Sequence, residues 1–451
     1  MVPPMHHVLL MVVDSCLFHG AIFKEIMILL ARYAILLGWI LSLQAAFPDI
    51  ENFLRKKSPF VFKLSGFVRN DVFWDSRQAV SFRQNVLLFA PAEPCYLRGY
   101  GDVNNVATFT ITPLRSFVRL DLHNAEQWGT EVRGTIQVDF LGIHEETTSA
   151  IRLWYAYFEL LGRYNKIAIG QLRHPLRLLR VFPHALTFNV AEIIAAPQIR
   201  WVHKWTEHLH GIAAIHSELV DASFGQLIRN GPMEESPEFI QNSLKPAFAV
   251  RVQHETEQTI IGAGYDIRAI VPRLVTATGY ATEQEIAASW FTAFAGVKTD
   301  SFDLRWQSLV GQNTMPANLL GGAALSCCAT PTNKCTYTNL WAATHWIDLE
   351  ITRHPVVHPG AFLGYSPVFH VDNRLFIDPV TNRPVIFTFN DRLQMVLRAA
   401  VRVTGEWEPI KIGIEYVFAH ATYGDRDAAG QVVAPQSVSM GRLLLVSWFY
   451  F

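Results

Sequence analysis

Leu443-Leu444-Leu445-Val446-Ser447-Trp448-Phe449-Tyr450-Phe451 is an apolar, aromatic strand at the very end of the sequence, with no polar tail behind it. A long apolar strand left open at a terminus would template edge-to-edge association, so such a strand calls for a sheet that closes on itself. Read with a period of two, Leu443, Leu445, Phe449 and Phe451 share one face. That face suits lipid, and the strand suits the last seam of a closed transmembrane barrel.

The same period runs upstream from residue 60. Thr130 to Phe140 sets Val132, Gly134, Ile136, Val138 and Phe140 against Glu131, Arg133, Thr135, Gln137 and Asp139. Ser116 to Leu122 sets Val118, Leu120 and Leu122 against Arg115, Arg119 and Asp121, and Ser301 to Gly311 sets Phe302, Leu304, Trp306 and Val310 against Asp303, Arg305 and Gln307. Alternation of apolar and charged residues predicts half-buried strands. A soluble sandwich would show it too, so number, length and spacing decide.

Candidate strands of roughly ten residues fall at 60–72, 111–122, 129–141, 150–160, 164–171, 197–206, 209–220, 244–254, 258–270, 286–298, 301–311, 340–352, 358–366, 390–404, 407–420 and 440–451. These make sixteen, an even number. Short connections such as Gly162-Arg163, Glu207-His208, Thr299-Asp300 and Gly405-Glu406 alternate with long ones at 73–110, 172–196, 221–243 and 312–339. Tight turns on one rim and long loops on the other predict an all-β antiparallel transmembrane barrel. Trp154, Tyr155, Tyr157, Trp201, Trp205, Trp290, Trp306, Trp341, Trp346, Trp407 and Trp448 fall largely near strand ends in this placement. Interfacial aromatic girdles are expected there.

Half of the 451 residues are apolar, 17% are charged and the formal net charge is −1, which argues against a nucleic-acid partner. The basic set is 28 Arg to 10 Lys. Arg presents a rigid fork that grips carboxylate or phosphate bidentately and is less hydrated than an ammonium, so the skew fits anion recognition. Met27 to Leu43 is the longest apolar run, and it leads into Ser42-Leu43-Gln44-Ala45-Ala46. It is short for a spanning helix and ends in small residues, so 1–46 reads as an extension plus secretory signal with a possible true start at Met27. Residues 47–451 then form a single barrel domain. Of the five cysteines, Cys16 precedes the signal, Cys95 is isolated, and Cys327, Cys328 and Cys335 cluster where a loop disulfide is possible. No His stands at ligand spacing from that cluster, so no zinc site is expected there.

Ordered motifs add a family resemblance. Gly66-Phe67-Val68-Arg69-Asn70-Asp71 with Asp75-Ser76-Arg77-Gln78, Gly170-Gln171 with His174-Pro175, Pro197-Gln198-Ile199-Arg200, Gly311-Gln312-Asn313 with Gly321-Gly322, Gly364-Tyr365, and Glu415-Tyr416 with Ala419 and Tyr423-Gly424 occur in order over 64–451. Together they resemble the DcaP-like family of trimeric outer-membrane porins, and the terminal Phe451 resembles the assembly signal of such barrels. The resemblance implies a trimeric channel in bacterial outer-membrane lipid that passes small anionic solutes, dicarboxylates especially, by diffusion and without a cofactor. It also implies that the connection after the fifth strand folds inward as a constriction. Arg173 stands where the family pattern has Trp, Val401 stands where a Pro would precede Arg402, and no coiled-coil extension occupies 47–60.

That connection carries Arg173, His174, Arg177, Arg180 and His184, and alternation turns Arg115, Arg119, Arg133, Arg305, Arg398 and Arg402 to the lumen. With Arg200, these arginines are the candidate pore lining, since rings of Arg favour anions. No catalytic or metal-binding residue is proposed: among the 17 His, His203, His208, His210 and His216 fall on different strand faces and across a turn. The competing readings are a barrel with a filled interior, structural or phospholipase-like, and a plugged transporter for apolar solutes. The signal reading has a direct check: N-terminal sequencing of the mature protein should find it starting near Ala46 or Phe47, whereas a full-length precursor held in the inner membrane would refute it.

Overall fold

The computed structural model describes residues 60–451 except 83–84, 125–129, 145–146, 188–194, 219–221, 228–231 and 330. The expected extension and signal at 1–46, and the domain boundary at 47, lie outside the described residues. The wall opens with β1 (Phe60–Asp75), β2 (Phe117–Asn124), β3 (Glu131–His144), β4 (Thr147–Leu161), β5 (Asn165–Arg173), β6 (Ala195–Lys204), β7 (Leu209–His216) and β8 (Ala247–Glu255). It continues with β9 (Thr259–Ile270), β10 (Ile286–Lys298), β11 (Phe302–Gln312), β12 (Lys334–Ile351), β13 (Val357–Val371), β14 (Leu393–Trp407), β15 (Ile410–Arg426) and β16 (Val432–Tyr450). Each strand pairs antiparallel with the next, and β1 pairs with β16 from Phe67–Tyr450 to Asp75–Arg442, closing a sixteen-stranded barrel.

Alternation sorts the two faces as the sequence predicts. On β16, Leu443, Leu445 and Phe449 are exposed outside, while Arg442, Leu444, Val446 and Trp448 are buried inside. On β1, Val68 and Trp74 face out and Arg69, Asp71, Phe73 and Asp75 face in. A one-residue slip would turn ionised groups to lipid, so the pattern fixes register. At the seam, the Gly66 and Phe451 backbones exchange both hydrogen bonds, N–H to O 3.1 and 3.2 Å. A Cβ on Gly66 would meet the Phe117 carbonyl oxygen at 2.4 Å and Cζ of Phe451 at 2.9 Å, so the terminal ring lies where any side chain at 66 would stand.

Several boundaries differ from the sequence reading. The second strand is split into Thr108–Thr112 and β2, both paired with β1, because Pro113 accepts the Ser116 N–H in a turn and interrupts the ladder. The stretch 421–439 is mostly strand: β15 runs to Arg426 and β16 starts at Val432, across a turn where the Asp427 carboxylate accepts the Ala429 and Gln431 N–H groups. β12 starts at Lys334 because the strand Gly322–Ala329 pairs with its first half, and the Cys328–Cys335 disulfide crosslinks that hairpin. Trp201, Trp205, Trp306 and Trp407 are exposed on the outside. Trp290, Trp346, Trp448 and Tyr155, expected in the girdles, are buried. A bulge opposite Gln137–Val138 turns Trp154 and Tyr155 together toward the lumen, where the cavity described below meets both.

One side of the interior is packed. Leu88, Phe89 and Ala90 from the hairpin Ala79–Phe82/Leu87–Pro91, Val181 from the connection after β5, and Met315 from the turn Met315–Asn318 cluster with Phe294, Trp346, Phe362, Val396 and Val417 of the wall. Tyr423 donates its hydroxyl to the Pro91 carbonyl, and Arg392 holds Glu93 bidentately, which raises the Arg392 pKa above its ordinary value. Inward apolar residues on β9–β16 are thus covered by inserted segments rather than by water.

The seam yields a prediction. Gly66→Val and deletion of Phe451 should each impair barrel assembly more than any single lumen-side change, because an unpaired backbone group in lipid costs several kcal/mol. The heat-modifiable folded band on SDS gels measures it, and wild-type yields for the Phe451 deletion would refute it.

Candidate pore lining

The connection after β5 crosses the lumen, and its backbone is held by charged side chains of the opposite wall. The Asp348 carboxylate accepts the His184 N–H at 3.0 Å, and the Glu415 carboxylate accepts the N–H groups of Leu186 and Thr187 at 2.8 and 2.7 Å. Arg69 and Arg115 donate to the Leu186 carbonyl, Arg305 to that of Phe182 and Arg251 to that of Pro175. A segment without a ladder of its own must satisfy its backbone this way. The inward loop inferred after the fifth strand is therefore present over its described part, up to Thr187.

The candidate arginines separate into two populations. Arg402 has no exposed side-chain surface and grips Asp348 through both terminal nitrogens, at 2.7 and 2.9 Å. Arg398 is buried and donates to the Leu88 and Phe89 carbonyls, and Arg177 is buried and donates to Ala317 and Gln307. Arg398 and Arg402 are sealed away from open space, while Arg177, which anchors the inward loop, also borders the second cavity described below; alternation alone does not reveal this because it ignores what covers the inner face. Arg305 pairs with Asp303, and the half-exposed Arg133 pairs with Glu131.

Arg115, Arg119, Arg173 and Arg200 line open space. One cavity of about 320 Å³ is bounded by Arg69, Arg115, Arg119, Arg152, Arg173, Trp154 and Tyr155. A second, of about 380 Å³, is bounded by Arg119, Tyr155, Tyr157, Glu159, Lys166, Arg173, Arg177, Arg180, Arg200, Arg251 and Glu255 among others. Arg119, Tyr155, Arg173 and Leu179 belong to both, so the two spaces meet where the inward loop leaves β5. Among the described residues Arg173, Arg180, Arg200 and Arg251 have no carboxylate within 4 Å, although Arg119 and Arg152 do, in Asp121 and Asp139. Arg173 donates to the Tyr155 hydroxyl at 3.1 Å, Arg180 to carbonyls at 256 and 257, and Arg200 to Gln198 and the Arg173 carbonyl. Carbonyls satisfy the donors without cancelling the charge. Arg69, Arg152 and Arg251 were not singled out in the sequence, although the Arg69 motif and the alternating charges of these strands carried the signal.

His174, His216 and Asp266 converge in the wall, with ligand-type atoms all within 4.8 Å of one another. The Asp266 carboxylate, fully buried, lies 2.7 Å from His216 Nε2 and 3.4 Å from His174 Nε2. Leu176 N–H donates to His174 Nδ1, which places the His174 proton on Nε2, facing Asp266. A metal-bound His donates its other ring N–H to an acceptor. His174 Nδ1 instead faces a donor and His216 Nδ1 has no partner, so the donor set does not fit a metal. The trio is a hydrogen-bonded brace that fixes the start of the inward loop against β7 and β9.

No protein-family model matches the chain, and no characterised protein sequence does. Solved structures do match. The outer membrane channel DcaP of Acinetobacter baumannii aligns with a TM-score of 0.62 at 14% identity, over 88% of this chain and 99% of that one. The fold is that of the outer-membrane porins. The trimer form of the outer membrane protein OmpT of Vibrio cholerae and the anion-selective porin from Comamonas acidovorans share it at a TM-score of 0.51 and 8% identity, each aligned with 87% of this chain and with 99% and 100% of their own. The barrel is closed and belted with apolar side chains, the architecture of a transmembrane β-barrel.

Within this fold the buried Arg402–Asp348 pair ties the inward loop to the wall. Asp348→Ala should strip the buried Arg402 of its bidentate partner, leaving it only the Glu350 carboxylate at 3.5 Å, and release the His184 N–H, at a cost of up to about 3–5 kcal/mol. The midpoint of denaturant unfolding in detergent measures it; a midpoint equal to that of the wild type would show that the pair does not hold the loop.

Proposed function

We propose that the protein is a passive outer-membrane porin, without enzymatic activity or cofactor, that favours small anionic solutes, dicarboxylates among them, and works as a homotrimer. The observation that carries the reading is the excess of arginine over carboxylate around one cavity beside the inward loop, where among the described residues Arg173, Arg180, Arg200 and Arg251 have no directly paired carboxylate although Glu159 and Glu255 also border the space. Fixed cations in a confined, partly desolvated passage lower the energy of an entering anion and raise that of a cation. Charges at the mouth of a pore are screened within about 8 Å at physiological salt, whereas those beside a narrow path act at contact distance. The two cavities meeting at Arg119 and Arg173 offer two places for negative groups on one short solute.

The shared fold with the anion-selective porin from Comamonas acidovorans supports the architecture, not the selectivity. The apolar inserts favour a second reading, a barrel with a filled interior. Single-channel conductance separates the two, because a filled barrel carries no current. Arg119→Ala combined with Arg173→Ala should lower the anion-to-cation permeability ratio severalfold and reduce succinate flux while the barrel stays folded. Arg177 is left intact because it anchors the loop. An unchanged reversal potential in a salt gradient would move selectivity away from this junction.

A further inference from the structure

A third cavity lies away from these arginines, among the long loops of the rim opposite the tight turns. It measures about 760 Å³ and is walled by residues of the connection between β7 and β8, the segment after β9, the hairpin leading into β12 and the connection between β13 and β14. Its lining is mainly apolar, with Leu325, Phe376, Val385, Met233 and Val380. One buried cation interrupts it. Arg273 is 3% exposed and donates to the backbone carbonyl and side-chain oxygen of Asn333 at 3.2 and 3.5 Å, while its Nε has no partner. No carboxylate lies within 4 Å of it among the described residues. Asp378 also borders the cavity, but its carboxylate is turned to the Val380 N–H and the Thr381 hydroxyl.

We propose that this loop cavity is a binding site for amphipathic monocarboxylates at the outer mouth of the barrel. A buried guanidinium without an anion is costly, and a bound carboxylate would supply charge-assisted hydrogen bonds to it. The apolar walls would cover the rest of such a ligand, and the volume falls in the range of sites for drug-sized molecules. Asp378 on the rim disfavours a second negative group, so this site selects differently from the arginine junction in the lumen. The walls are preformed: Leu325 and Val385 share a backbone hydrogen bond, as do Phe376 and Leu325, and the Cys328–Cys335 disulfide ties the hairpin beneath them.

Calorimetric titration of the full barrel in lipid nanodiscs with naphthalene-2-carboxylate tests the site without reference to conduction, so its outcome is independent of the pore reading. One saturable site per chain is expected, at least about tenfold weaker in Arg273→Gln and for the neutral naphthalene-2-carboxamide, as loss of a charge-assisted hydrogen bond implies. Binding at the lumen arginines would survive Arg273→Gln. Should that variant fail to assemble, Val380→Glu, at a residue 89% exposed, places a like charge at the entrance and should weaken binding severalfold. No saturable binding, equal affinity for the carboxamide, or wild-type affinity in an assembled variant would overturn the proposal.

Discussion

Every backbone donor and acceptor of the wall must find its partner inside the wall, because lipid offers none. The seam between β1 and β16 is where that demand is met last, and the mutual bonds of Gly66 and Phe451 complete it at the rim of tight turns. Once the sheet closes, alternation divides the whole chain into a lipid face and an inner face. The inner face then holds charges that a soluble core would exclude.

Closure leaves an interior too wide for side chains of the wall to fill, and the chain fills one side of it with its own loops. Two types of satisfaction follow. Where an insert lies on the wall, arginines and carboxylates are spent on its backbone: Arg398 on Leu88 and Phe89, Glu415 on Leu186 and Thr187, Asp348 on His184 and Arg402. Beside the cavities at the start of the inward loop, Arg173, Arg180, Arg200 and Arg251 donate to carbonyls, Tyr155 or Gln198 rather than to carboxylates and keep their charge. The same residue type is structural in one place and electrostatic in the other. The covering backbone, not the strand on which the arginine sits, decides which.

The brace of His174, His216 and Asp266 belongs to this logic. It fixes the point where the inward loop leaves β5, one residue after Arg173 and close to the junction of the two cavities. Geometry at the junction therefore depends on a buried carboxylate on β9, far from it in sequence.

What the sequence determined by itself is local and periodic. The alternation, the sixteen strands, the tight turns and the apolar closing strand follow from side-chain direction in a pleated sheet, which repeats every two residues and needs no tertiary knowledge. That the chain has sixteen wall strands was legible in this way, whereas the inward loop after the fifth was implied by the family resemblance that Gly170-Gln171 and His174-Pro175 help to carry. The break at Pro113, the tight turn at 427–431 and the hairpin under the Cys328–Cys335 disulfide shifted boundaries only. Which inward residues meet water was a tertiary decision. Arg115, Arg119, Arg173, Arg177 and Arg200 border cavities while Arg398 and Arg402 are sealed in, though all alternate inward or sit on the loop alike. Their fates diverge because inserts from distant parts of the chain, such as 87–91 on β14, cover some positions and not others, and period-two patterning carries no record of that contact.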